Sequence, residues 1–225
     1  MARPWRGNDW GNSANVLGGL RLLVLGESHY HATAPIGADV PDMTEQVVSD
    51  RLAGTKYQFF SRIERLVMGE ESLFQPAEFW HSVVFYNFIP VVAANASRKR
   101  PPDALWYGSA PKLFQELVKQ VEAEAILVCG TQLWRRLPTG LIERMNAYQA
   151  GGRSWREREY EVALPHRAVA AHIPHPSGSF GWSFERCRPV VQHLRRRVDE
   201  LRTEVNAPPV GPGTWCLKSP LPRSP

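Results

Sequence analysis

Residues 20–31, LRLLVLGESHYH, end an apolar run on one glycine and then set five reactive side chains in a row: Glu27, Ser28, His29, Tyr30 and His31. A carboxylate in that position, once partly desolvated, orients or deprotonates a water. The Ser28 hydroxyl can bond that water or a ligand, or attack as a nucleophile. Asn87, in VVFYNFIPV, carries a donor and an acceptor side by side, the pattern that reads the Watson–Crick edge of a base. His175 opens the triplet His175-Pro176-Ser177, and SRKRPP (97–102) brings Arg98, Lys99 and Arg100 together as a phosphate grip. Tyr57, Phe59 and Phe60 offer rings for stacking, Phe59 among them as a wall for a base. Each residue also has a plain structural role open to it. Glu27 can pair with an arginine, Ser28 can cap a turn, Asn87 can end a strand, His175 can cap a helix, the basic run can be a solvated loop, and the aromatic trio can be core.

The elements that would position these residues can be read from the apolar runs. Four of them, LRLLVLG (20–26), SVVFYNF (82–88), AILVCG (125–130) and RAVAAHI (167–173), lack clean alternation, as expected of parallel strands covered on both faces. Helical spacing fills the intervals: 44–67 with a break at Gly54, 111–124, and 183–205, where Ser183 is a candidate cap and Pro189 a candidate kink. The second half of 151–165 reads as an extra strand or a hairpin arm. Strands alternating with helices imply an α/β fold around a parallel sheet. In such a sheet, ligands bind beyond the carboxyl ends of the strands. The segments at those ends are GESHYH, YNFIP, GTQLW and HPSG, so Glu27, Ser28, Tyr30, Asn87, Gly130, His175 and Ser177 share one rim.

The chain has 225 residues, enough for one sizeable core, and a net charge of +5 that suits an anionic partner without requiring one. Three scattered cysteines, Cys129, Cys187 and Cys216, give neither a disulfide framework nor a zinc site, so a reducing, cytoplasmic setting is expected. No run reaches the ~20 apolar residues of a membrane span. His29, His31, His172 and His175 lack a supporting cluster of acids or thiols, and no metal is expected. A polar N-terminal segment (1–18), one domain (19–205) and a disordered Pro-rich tail (206–225) are expected.

In the order and spacing of its motifs, the stretch from about residue 20 to 200 resembles the uracil-DNA glycosylase superfamily. LVLGESHYH is similar to that family's strand ending in Gly-Gln-Asp-Pro-Tyr-His or Gly-Glu-Ala-Pro-Gly, VVFYNFIPV to the strand ending in its base-reading asparagine, and HPSGSFGWSFERCRPVVQHL to its His-Pro-Ser motif and the helix after it. Gly26, Tyr30 and His31 match the first motif, with Tyr30 as pocket wall and Glu27 at the Gln or Glu position. Ser28 stands where relatives carry a water-positioning Asp or Asn, or Ala, and His29 replaces the usual proline. Asn87 matches the base reader, and His175 and Ser177 match the second motif. Ser179 and Phe180 stand where the family has a proline and a wedge leucine.

The resemblance implies a three-layer α/β/α fold around a four-stranded, mostly parallel sheet. It implies a monomeric DNA glycosylase that flips uracil or a modified base, for example glucosylated cytosine, and hydrolyses its N-glycosidic bond. On that reading Glu27, Ser28 and His175 are catalytic, and Gly26, His29, Tyr30, His31, Phe59, Asn87 and Ser177 bind the base. Arg98, Lys99, Arg100, Ser179 and Phe180 bind DNA. No cofactor is expected, since an iron–sulfur cluster needs four cysteines. Two other readings stay open: a serine hydrolase using Ser28, His175 and Asn87, and a non-catalytic nucleic-acid-binding module.

Overall fold

The computed structural model describes residues 2–70, 73–96, 99–150, 153–163, 165–178 and 181–206, with backbone alone at 146–150 and 153. Seven strands form one sheet: β1 (Trp5–Arg6), β2 (Leu22–Tyr30), β3 (Val84–Ala94), β4 (Ala125–Cys129), β5 (Ile142–Ala150), β6 (Arg153–Ala163) and β7 (His166–Ile173). Their order is β1-β3-β2-β4-β7-β6-β5. Adjacent pairs among β3, β2, β4 and β7 run parallel. The pairs β1–β3, β6–β7 and β5–β6 are antiparallel.

The four-stranded, mostly parallel sheet expected from the sequence is therefore corrected to a mixed seven-stranded sheet. The physical reason lies in β6, whose sequence RSWREREYEVA carries charges where a buried strand should be apolar. Glu157 and Glu159 are fully buried there, and side chains from other elements partner them. His193 meets Glu157 at 2.5 Å, Arg197 reaches both carboxylates, and Arg167 meets Glu159 at 2.5 Å. Buried charge survives only when paired in this way, and a hydrophobicity pattern cannot show the partners. The two-residue β1 is too short to leave any periodic signal.

Helices cover both faces. On one side α1 (Met43–Leu52), α2 (Gln58–Met68), α3 (Pro76–His81) and α7 (Phe184–Asn206) pack Val48, Phe60, Ile63, Trp80, Val190 and Leu194 against Val24, Phe85, Leu127 and Val169. On the other α4 (Asp103–Tyr107), α5 (Ala110–Gln120) and α6 (Thr131–Arg136) pack Trp106, Phe114, Val118 and Leu133 against Leu23, Leu25, Ile126 and Ala170. Each large side chain so buried stabilises the fold by roughly 1.5–3 kcal/mol.

The break expected at Gly54 is there: α1 stops at Leu52 and Gly54 takes φ +101°, which favours glycine. Ser183 accepts the Arg186 N–H at the start of α7, and Pro189 lies inside that helix. Residues ahead of the first long strand take part in the core, with Ala2 and Leu17 buried. Residues 207–225 of the tail lie outside the described residues. Among the described residues no helix is long and apolar enough to cross a membrane.

Candidate active site

The carboxyl rim of the parallel strands gathers most of the residues in question. β2 carries Gly26 through Tyr30, and bulges at Ser28/His29 and His29/Tyr30 break its register with β3. Gly26 pairs with Asn87, whose side chain lies flat across it: a Cβ at Gly26 would stand 2.1 Å from Asn87 Oδ1. Glycine is required by this close approach and not by any special φ.

Asn87 is held from behind. Its Nδ2 donates to His29 Nδ1 at 3.2 Å, and His29 Nε2 bonds Thr44 Oγ1 of α1 at 2.9 Å. His29 is only 5% exposed, and burial lowers its pKa to about 4, so its ring is neutral. His29 thus gives the Asn87 amide a support.

His175 is fixed in a usable tautomer. Its Nδ1 accepts the Ser177 backbone N–H at 3.2 Å, which leaves the proton on Nε2 and Nε2 without a partner among the described residues. Burial lowers its pKa below the ordinary histidine value, so the ring is a neutral N–H donor at pH 7. Phe59 lies against it, with ring centres 5.6 Å apart. The loop holding it is anchored by Arg62 of α2, which donates to the carbonyls of Pro176 at 2.5 Å and Gly178 at 2.8 Å. Neither composition nor periodicity marked Arg62, because its partners are backbone oxygens 114 and 116 residues away.

Glu27 and His175 converge over Gly130. A Cβ there would lie 3.9 Å from Glu27 Oε2 and 3.8 Å from His175 Cδ2, so both groups flank one point. Gly130 has φ +148°, within the range that favours glycine, and its missing side chain leaves that space open. Burial raises the Glu27 pKa above the ordinary carboxyl value, and the charges of Arg136 and Arg100 oppose part of the rise. The carboxylate opens onto a cleft of about 360 Å³ lined by Glu27, Arg100, Pro101, Asp103, Trp106, Gln132 and Arg136. That volume lies within the roughly 300–1,000 Å³ typical of small-ligand sites.

Gln132 belongs to the GTQLW after the third of the parallel strands, so position at a strand end was its signal. Trp106 and Asp103 had none, since α4 is a five-residue helix without an apolar period. Ser28 is 8% exposed, and its Oγ makes no hydrogen bond among the described residues. Tyr30, at the outer edge, has its phenol pKa raised by burial, and Ser28 is near enough to oppose that rise without an aligned bond.

The remaining candidates are placed apart from this centre. His31 is exposed and its Nδ1 accepts the Ala34 N–H at 2.9 Å, closing its own turn. Lys99 bonds Asn95 Oδ1 at 2.8 Å on the surface, while Arg100 faces the cleft. Arg98, Ser179 and Phe180 lie outside the described residues. Tyr57 and Phe60 pack against each other and, for Phe60, against Trp80, as core rings do. Of the four histidines weighed as metal ligands, His29 and His31 are occupied as above and His172 stacks on Trp134. Among the described residues no group of three or more His, Cys, Asp or Glu could hold a metal ion. No protein-family model matches the chain, and no curated protein is significantly similar to it.

Proposed function

We propose that the protein is a DNA glycosylase, a divergent relative of the uracil-DNA glycosylases, that hydrolyses the N-glycosidic bond of a flipped base. The observation that carries this reading is the pairing at the rim of a half-buried carboxylate with a neutral imidazole N–H, both flanking the open space at Gly130. Bond cleavage builds cationic character on the sugar and negative charge on the departing base. The Glu27 carboxylate, whose ionised form Arg136 and Arg100 favour, stabilises the former and takes a proton from the attacking water. The water oxygen bonds to the anomeric carbon as the carbon–nitrogen bond breaks, and the bonding pair leaves with the base. His175 Nε2–H donates to the base oxygen on which that charge collects. Asn87, held by His29, presents its amide oxygen to the base edge, and Phe59 walls the slot beside His175. Ser28, buried with an unpaired hydroxyl, is placed to bond the base or the water. DNA as partner and a reducing, cytoplasmic setting belong to the same proposal.

The hydrolase reading lacks a comparable support, because Ser28 Oγ has no imidazole to accept its proton. The deciding experiment incubates the protein with uracil-containing DNA, ordinary DNA and DNA carrying hydroxymethylated or glucosylated cytosine, and reads released base by mass spectrometry. Release from one of these, reduced about 10²–10³-fold in His175→Ala, is the expected result. Binding without release from any substrate would replace the enzyme by a binding module, and turnover of an ester probe would revive the hydrolase.

A further inference from the structure

A second group of polar side chains lies beside the first, at the end of β7 nearest β6. His172 stacks on Trp134 of α6 with ring centres 5.0 Å apart and planes at 16°, and Trp155 of β6 tilts against it at 5.6 Å. Cations surround this ring cluster. The Arg158 guanidinium sits 4.4 Å from the Trp134 ring centre and that of Arg186 5.9 Å from Trp155. Glu157 pairs with Ala171, so the next position sets Arg156 beside His172, and Arg135 comes directly after Trp134 on α6.

Two properties mark Arg135, Arg156 and Arg186 and the rings between them. Arg144, Arg158, Arg167 and Arg197 all meet glutamates. Among the described residues no carboxylate lies within ion-pair distance of Arg135, Arg156 or Arg186. The buried nitrogens here also lack partners: among the described residues, Trp134 Nε1, Arg158 Nε, Arg186 Nε and His172 Nδ1 make no hydrogen bond. Trp134 is 3% exposed, so its N–H has no water to turn to. A buried donor left unpaired costs about 1–3 kcal/mol. A cluster rich in free donors and uncompensated positive charge is the complement of an acceptor-rich anion. Burial, reinforced by the fields of Arg156, Arg158, Arg135 and Arg186, holds His172 neutral, with a pKa lowered to about 4, so the histidine adds no charge of its own.

We propose that Arg135, Arg156 and Arg186, ranged around the Trp134–His172–Trp155 rings, form a phosphate-binding surface that holds a nucleic-acid backbone on the β6 side of the site. Arg100 lines the cleft at Glu27 together with Gln132 and Arg136 of α6, and Arg135 lies on that same helix, so the new surface adjoins the cleft. A strand held at both places passes the opening of the Glu27 cleft. The inference rests on the glycosylase reading for its nucleic-acid partner, and it concerns phosphate contacts alone.

The test measures affinity for a fluorescent uracil-containing oligonucleotide, single-stranded and duplex, over a range of salt. Each phosphate contact contributes about 0.9 to the slope of log K against log salt in a duplex and about 0.7 in a single strand. The R135A/R156A/R186A variant is expected to lose about 2.7 units of slope on the duplex and about 2.1 on the single strand, with an unchanged melting temperature. Arg156→Glu alone, on an exposed position, is expected to weaken binding at least tenfold and serves if the triple variant folds poorly. An unchanged slope and affinity in both variants would overturn the surface. So would inorganic phosphate competing equally well against wild type and variant. Base release is assayed separately on the same substrate. Wild-type protein that binds with the arginine-dependent slope yet frees no base would sink the glycosylase reading and leave the surface standing.

Discussion

Two side chains decide the site at the scale of single residues. Gly26 exists to let Asn87 lie across β2. Gly26→Ala puts a methyl 2.1 Å from Asn87 Oδ1, so the amide must swing away or the strands must part. A loss of about 1–3 kcal/mol in urea unfolding is expected, together with loss of base release. Glu27 carries an opposite trade. Its pKa is raised in the folded state, chiefly by burial, so the protonated form is the one folding favours. The stabilisation this gives is complete below the unfolded pKa near 4.5 and is lost as pH rises through the folded value. At neutral pH the buried charge therefore weakens the fold. Glu27→Gln is expected to raise stability at pH 7, an advantage that disappears below pH 4.5, while on the glycosylase reading base release falls about 10²–10⁴-fold. Wild-type activity should drop on the acid side at a pH above the ordinary carboxyl range. A melting series paired with a pH–rate profile checks both halves.

At the scale of elements, α2 is the support that brings Phe59 and Arg62 to the His-Pro-Ser loop, and one buried ion pair holds it. Arg51 of α1 donates twice to Glu64 of α2, at 2.8 and 2.7 Å, and Trp80 of α3 donates to the same carboxylate at 2.6 Å. Glu64 is 2% exposed, so removing it strands a cation and an indole N–H. Glu64→Ala is expected to destabilise the protein by about 3–5 kcal/mol in urea unfolding. The double variant Arg51→Met, Glu64→Leu should recover part of that, because it removes both charges together while the Trp80 indole N–H stays unpaired. Arg62→Ala leaves this pair intact and is expected to impair base release more than folding.

At the scale of the whole molecule, the buried histidines set how the fold responds to acid. His29 and His172 both have pKa values lowered to about 4, with burial the first cause of each. An unfolded histidine titrates near 6.5, so between about 6.5 and 4 the unfolded chain binds more protons than the folded one. Stability is complete above 6.5 and falls by several kcal/mol as pH drops to 4. Urea midpoints measured from pH 7.5 to 4.5 should decline across that window, and His172→Gln should flatten the decline. Below it a second loss begins. Glu157 feels burial most, but the His193 bond and Arg197 outweigh this and lower its pKa, so the contact of α7 with β6 weakens as pH falls under the ordinary carboxyl range.

What the sequence determined by itself was local. The apolar runs at β2, β3, β4 and β7 announced strands because burial on both faces forbids polar residues there, and Gly54 marked a helix end because its φ favours glycine. The placing of Glu27, Gly130 and His175 at one rim came from strand ends alone, since parallel strands share a carboxyl edge. Only the tertiary structure decided the rest. The hairpin of β5 and β6 joins the sheet because Arg197 of α7 and Arg167 of β7 neutralise Glu157 and Glu159, partners between 8 and 40 residues away. His29 serves Asn87 and Thr44, and Arg62 the loop carbonyls, for the same reason. A hydrogen bond or an ion pair depends on where two groups meet in space, and residue type and period carry no record of that meeting.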